Sequence, residues 1–159
     1  MLIPISPGKQ TKGPAIPHPD EDTIWLVLDS NEDGLSQLNR FSLFISNYWK
    51  IDEAVHQQIH IALTEAVMNA MIHGNKNNPD LPVYLSAGCN EECLSFTIED
   101  RGAGFDHRRF SDPTADADYF HTHGHGVSLM LALADVVHYS FGGRKLQLVF
   151  YREKIKAVG

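Results

Sequence analysis

The chain reads as an α+β protein: a two-layer α/β sandwich in which a mixed, mostly antiparallel sheet is covered by helices on one face. Three observations predict it. Helix-period and strand-period segments come in blocks rather than in strict alternation. Within Cys93–Asp100, Phe96 and Ile98 alternate with Ser95, Thr97 and Glu99, as in a half-buried strand. Near the C-terminal end, Gly142-Gly143 separates two apolar runs, a strong hairpin signal. At 159 residues the chain suggests one domain with a substantial core.

The elements follow in order. Five of the eight prolines fall within the first nineteen residues, so residues 1–22 are expected to be a poorly ordered leader and 23–159 the domain. Thr23–Asp29 (TIWLVLD) predicts a strand, and Ser30 to Gly34 supplies turn and helix-start residues. Leu35, Leu38, Phe41, Phe44, Ile45 and Tyr48 recur at helical spacing to about Trp49, and the Phe residues are read as core. A second long helix is expected over Asp52–His73, stopped by Gly74-Asn75 and Asn77-Asn78-Pro79. Leu81–Cys89 and Cys93–Asp100 form a strand pair, and Arg101–His123 is polar and irregular. Gly126–Val137 predicts an apolar helix, and His138–Phe141 and Lys145–Arg152 predict the last two strands.

Composition excludes several functional classes. The hydrophobic fraction is 43% and the charged fraction 21%, as in ordinary globular proteins, with a net charge of −7. An acidic balance argues against direct nucleic-acid binding or attachment to an anionic membrane, since phosphates are gripped by clustered Lys and Arg. No apolar run is long enough to span a bilayer, and the N-terminus is too rich in proline for a signal peptide. A cytoplasmic protein is the expectation. Cys89 and Cys93 flank a plausible turn, Asn90-Glu91-Glu92; they could pair across strands, but free thiols are expected in a reducing compartment.

Three motifs carry chemistry. The second helix is apolar nearly all round, yet Glu65, Asn69 and His73 stand four residues apart and make one polar stripe. Such a stripe either faces solvent or lines a wet cavity, because an unpaired buried carboxylate is costly. Next, Asp100-Arg101-Gly102-Ala103-Gly104-Phe105 begins where a strand runs out. Its carboxylate can accept from a ligand amino group, and its glycines permit close backbone approach, although turns use the same letters. Finally, Gly124-His125-Gly126-Val127 opens a helix, where unpaired N–H groups suit phosphate, although a flexible joint could read the same.

In that order the motifs resemble those of the GHKL ATP-binding superfamily, named for gyrase, Hsp90, histidine kinases and MutL. The resemblance covers roughly Thr23 to Arg152 and implies the Bergerat ATP-binding fold. Glu65, Asn69, His73, Gly74 and Asn75 look like its N-box, Asp100, Gly102 and Gly104 like its first glycine box, and Gly124 and Gly126 like its second. Length and layout look most like bacterial anti-sigma factor serine/threonine kinases, which bind a sigma factor and phosphorylate an antagonist of the STAS fold. The cofactors so implied are ATP and Mg²⁺, with Glu65 as general base and Asn69 as the Mg²⁺ ligand. Asp100 would take the adenine amino group. Asn69, His73, Gly102, Gly104, Phe105, Gly124, His125, Gly126 and Val127 would complete the nucleotide site beneath a lid of about Asp106–His123. Homodimers are common among the resembling kinases.

The chain departs from that pattern in two places. Kinases of this kind often carry a basic residue just before the second glycine box, where Thr122 and His123 stand here; only Arg108 and Arg109 bring permanent positive charge to the lid. Arg144 follows Gly143 where many relatives have Thr. The first departure keeps a second reading open, a non-catalytic ATP-binding module that sequesters a protein partner. His121, His123 and His125 alternate and could share a strand face as metal ligands, but local phosphate contacts suit a lid better.

Overall fold

The computed structural model describes residues 3–4, 23–104 and 126–152. In chain order these form β1 (Ile3–Pro4), β2 (Ile24–Leu28), α1 (Glu32–Tyr48), α2 (Glu53–Asn69), a π-helical turn (Ala70–Gly74), β3 (Val83–Cys89) and β4 (Cys93–Glu99). Then come α3 (residues 126–133), β5 (Val136–Ser140), a short 3-10 turn (Phe141–Gly143) and β6 (Lys145–Tyr151). The sheet has the order β1-β5-β6-β4-β3-β2, and every pairing in it is antiparallel, so the expected mixture of directions is absent among the described strands. Within the leader, Ile3–Pro4 pairs with His138 and Tyr139 of β5.

Register explains the layering. Leu26, Leu85, Ile98, Leu146 and Tyr139 lie opposite one another across five strands, and Ala87, Phe96, Leu148 and Val137 form the next row. These rows join Leu38, Ile45, Ile59, Leu63, Val67, Val127 and Met130 of the helices in one buried core. Phe96 is fully buried and meets Phe150 edge-on, with ring centroids 6.0 Å apart. Burying one such ring is worth about 1.5–3 kcal/mol.

Local signals act where expected at α1, whose N-cap Asn31 accepts a hydrogen bond from the Gly34 N–H at 3.1 Å, with Glu32 and Asp33 in the first turn. The face of α1 is narrower than its periodicity suggests. Phe41 is buried, whereas Phe44 is exposed and stacks on Tyr48, centroids 5.7 Å apart. The β3–β4 turn is an Asx turn: Asn90 Oδ1 accepts from the Glu92 and Cys93 N–H groups. Cys89 faces the core side opposite Leu94, while Cys93 faces the other side opposite Tyr151; the register thereby separates two thiols that the sequence left able to pair, and both are free.

Two helix ends differ from expectation. The second helix is regular only to Asn69; the Asn75 N–H then reaches back five residues to the Ala70 carbonyl at 2.8 Å, widening the last turn. The third stops at residue 133, so Val136 and Val137 belong to β5. The Asp135 N–H donates to the Val149 carbonyl and its Oδ2 accepts from the Tyr151 N–H, which fastens the chain to β6 and lets two β-branched residues continue as strand.

Asn75 joins the pieces. It is 1% exposed; its Nδ2 donates to Ser30 Oγ, the Leu81 carbonyl and the Pro82 carbonyl at 3.0, 2.8 and 3.1 Å. Its Oδ1 accepts from the Arg101 N–H at 2.8 Å. Asn75→Ala would strand several buried polar groups, at a cost of about 1–3 kcal/mol for each. A loss of at least about 3 kcal/mol in urea unfolding is therefore expected, with Asn75→Asp no rescue because a carboxylate would face two carbonyls.

Candidate functional site

Three elements converge where α2 passes the end of the sheet. Glu65 and Asn69 lie one turn apart on α2, both half-buried. Gly126, at the start of the described part of α3, packs directly on them: a methyl group there would lie 2.5 Å from Glu65 Oε2 and 3.5 Å from Asn69 Nδ2. From the sheet side comes Asp100, the residue after β4, 3% exposed. A hollow between helix and sheet is lined by Ala66, Asn69, Asp100, Tyr139, Gly143 and Arg144, with Ala70, Ile98 and Leu146 as further apolar wall. Apolar walls with a few convergent polar groups are the usual make-up of a small-molecule pocket.

The acid–glycine turn is held against the end of the second helix. Asp100 Oδ1 accepts from the Gly102 N–H at 2.8 Å, and Arg101 is fastened by Asn75. A Cβ at Gly102 would overlap the Gly74 carbonyl, and one at Gly74 would overlap the Asp100 carboxylate. Backbone and carboxylate approach too closely here for any side chain. Burial pushes the Asp100 carboxyl above its ordinary value, while the bond from Gly102 and the Arg144 guanidinium work against that rise.

Of the expected site residues, Glu65, Asn69, Asp100, Gly102, Gly104, Gly126 and Val127 stand in this region or on the loops that form it. Gly104 has φ +85° and runs over Gly142 and the stem of Arg144. Val127 is 2% exposed and belongs to the core, one position beyond Gly126. His73 sits in the widened turn, one residue before Gly74, whose backbone meets Asp100 and Gly102. Phe105, Gly124, His125, the lid and the alternating histidines lie outside the described residues.

Sequence reasoning missed Tyr139. It faces the helices from β5, is 3% exposed, and its hydroxyl lies beside Asn69. Burial holds that phenol far above its ordinary pKa, so it is neutral throughout the physiological range. The Asn69 Nδ2 is itself buried without a hydrogen bond of good geometry among the described residues. Only the alternation along β5 could have placed Tyr139 inward, and that required knowing that the strand starts at Val136.

The glycines here are not equivalent. Gly102→Ala would force backbone against backbone, whereas Gly142→Ala meets open space and only a left-handed backbone, φ +66°. Thermal unfolding should register Gly142→Ala as a loss of about 1–2 kcal/mol. Gly102→Ala should exceed it clearly and also displace the Asp100 turn.

The family model described as a histidine kinase-like ATPase domain matches residues 31–150. Among curated proteins, an anti-sigma F factor of Heyndrickxia coagulans is 42% identical over 55 residues, 34% of this chain and 36% of that protein. Anti-sigma F factors of Bacillus cytotoxicus and Halalkalibacterium halodurans are 43% and 40% identical over 47 residues, 30% of this chain and 32% of each relative. The matched stretch thus spans about a third of the relatives' length. No helix among the described residues is long and apolar enough to cross a membrane. An antiparallel sheet under helices, a helix-borne Glu and Asn, and an acid–glycine turn, together with a family match over most of the domain, lead to one assignment: the chain belongs to the histidine kinase-like ATPase domain family, whose ligand is ATP.

Proposed function

We propose that this protein is an ATP-dependent serine/threonine protein kinase that acts as an anti-sigma factor in the cytoplasm, binding a sigma factor and phosphorylating an antagonist of the STAS fold. The observation that carries the reading is the meeting of Glu65 and Asn69 with the start of α3 at Gly126, on the same helix that walls the Asp100 hollow. The partial matches to anti-sigma F factors support the regulatory half of it.

In this reading the adenine lies in the hollow, its amino group donating to Asp100, with Ala66, Ala70, Ile98 and Leu146 as apolar walls. The phosphates then run toward Gly126, past Asn69. Asn69 offers a carboxamide oxygen, the hard donor that Mg²⁺ prefers, and lies next to Gly126 and in the lining of the hollow. Bound there, Mg²⁺ would supply neutralisation of phosphate charge. Glu65, one turn back, accepts the proton of the attacking Ser or Thr hydroxyl.

Mixing the full chain with labelled Mg-ATP and a STAS-fold antagonist tests this directly. Glu65→Ala should keep nucleotide affinity within about threefold and lose phosphate transfer by 10²-fold or more, of the order a positioned general base contributes. Normal transfer by that variant would remove Glu65 from the role. Nucleotide binding with no transfer by the unsubstituted protein, in contrast, would favour the sequestering module, to which the Thr122-His123 departure points.

Acidity gives a second test. A donor amino group favours the ionised Asp100, whose free carboxyl is held above the ordinary value by burial. Binding is then linked to loss of a proton, so affinity falls as pH drops through that raised value and stays level above it. Titrations by calorimetry should see the decline begin at higher pH than an exposed aspartate would give, and Asp100→Asn should abolish it.

A further inference from the structure

Arg144 stands at the edge of the hollow, and the strand register gives it a partner. Glu99 lies opposite Lys145, so the next residues outward, Asp100 and Arg144, face each other, and the Asp100 N–H donates to the Arg144 carbonyl at 2.9 Å. Ile98 and Leu146, one row inward by alternation, wall the hollow; Asp100 and Arg144 therefore stand on that same face, and both line it. The Arg144 stem is seated, since the backbone at Gly104 passes over its Cγ. Its Nε donates to the Phe141 carbonyl at 3.3 Å, which leaves the two terminal nitrogens of an exposed guanidinium as donors. The edge of the hollow thus carries a buried carboxylate acceptor and, on the residue opposite it, an exposed cationic donor.

That pairing matches one edge pattern among nucleobases: an exocyclic amino group next to a ring nitrogen lone pair, as adenine presents at its 6-amino group with N1 or N7. We propose that Arg144 is a specificity-determining residue of the nucleotide site, donating to the adenine ring nitrogen beside the amino group that Asp100 accepts. The inference rests on the ATP-binding reading and adds to it a direct, charge-assisted contact to the base. It also places selectivity in a matched pair: a base lacking the amino group leaves Asp100 buried and unanswered, and one lacking the ring acceptor forfeits the bond from Arg144.

The test is a coupling measurement on the full chain. ATP, 1-deaza-ATP and 7-deaza-ATP are titrated into the unsubstituted protein, Arg144→Ala and Arg144→Lys, with thermal unfolding as the check that each variant is folded. ATP affinity should fall about tenfold or more in Arg144→Ala, within the range for a hydrogen bond to a charged group. One deaza analogue, the one missing the contacted nitrogen, should bind the unsubstituted protein about as weakly as ATP binds Arg144→Ala and lose no more than about twofold on the substitution. Arg144→Lys, which keeps charge and stem but not the fork, should fall between. Equal losses for ATP and both analogues would show that Arg144 only shapes the loop and would overturn the proposal, as would full ATP affinity in Arg144→Ala. Failure of the unsubstituted protein to bind ATP at millimolar concentration would remove the nucleotide reading itself, and this assignment with it.

Discussion

Asn75 is buried at the place where four separate stretches of chain must meet. Its carboxamide binds Ser30 before α1, the carbonyls of Leu81 and Pro82 before β3, and the Arg101 N–H after β4. An amide is suited to this work because it offers donors on one side and an acceptor on the other, with no charge to desolvate. Ser30 Oγ, which receives one of these bonds, donates in turn to the Leu81 carbonyl, so the cluster is closed on itself. Satisfied networks of this kind rigidify because each member is costly to leave unpaired.

The rest of the site follows from that fixed point. With Arg101 tied down, Asp100 is pressed against Gly74 and the glycine turn stacks on the end of the second helix. The π-turn over Ala70–Gly74 is what brings that end into reach: one extra residue per turn shifts the chain by the amount needed for the Asn75 N–H to close on Ala70. A π-turn costs backbone regularity, and such turns occur often at functional sites.

Charge in the hollow is balanced locally. Asp100 is almost wholly buried, and its carboxylate accepts from the Gly102 N–H while the positive charge of Arg144 favours its ionised form. Glu65, one turn of α2 from Asn69, is only half-buried. The neutral Tyr139 and the Asn69 amide lie deeper between them. The polarity thus falls from the mouth inward, with apolar walls on both helix and sheet.

Much of the fold could be read from the chain because it depends on short-range rules. Period-2 alternation identified β4, the Asn31 cap and acidic first turn marked α1, and Gly142-Gly143 marked the last turn, where both glycines take positive φ. The Glu65–Asn69 spacing and the acid–glycine turn were also visible, since both are local. Other features depended on contacts distant in sequence. The end of α3, the inward Tyr139 and the exposed Phe44 are set by pairing with β6 and by which side of α1 joins the core, which no window of residues contains. By itself the sequence determined the class, the elements and the chemical groups on offer. Only tertiary structure decided that Asn75 is the fastening, that Cys89 and Cys93 face apart, and that Arg144 stands beside Asp100, because register and burial arise from where strands meet rather than from what each contains.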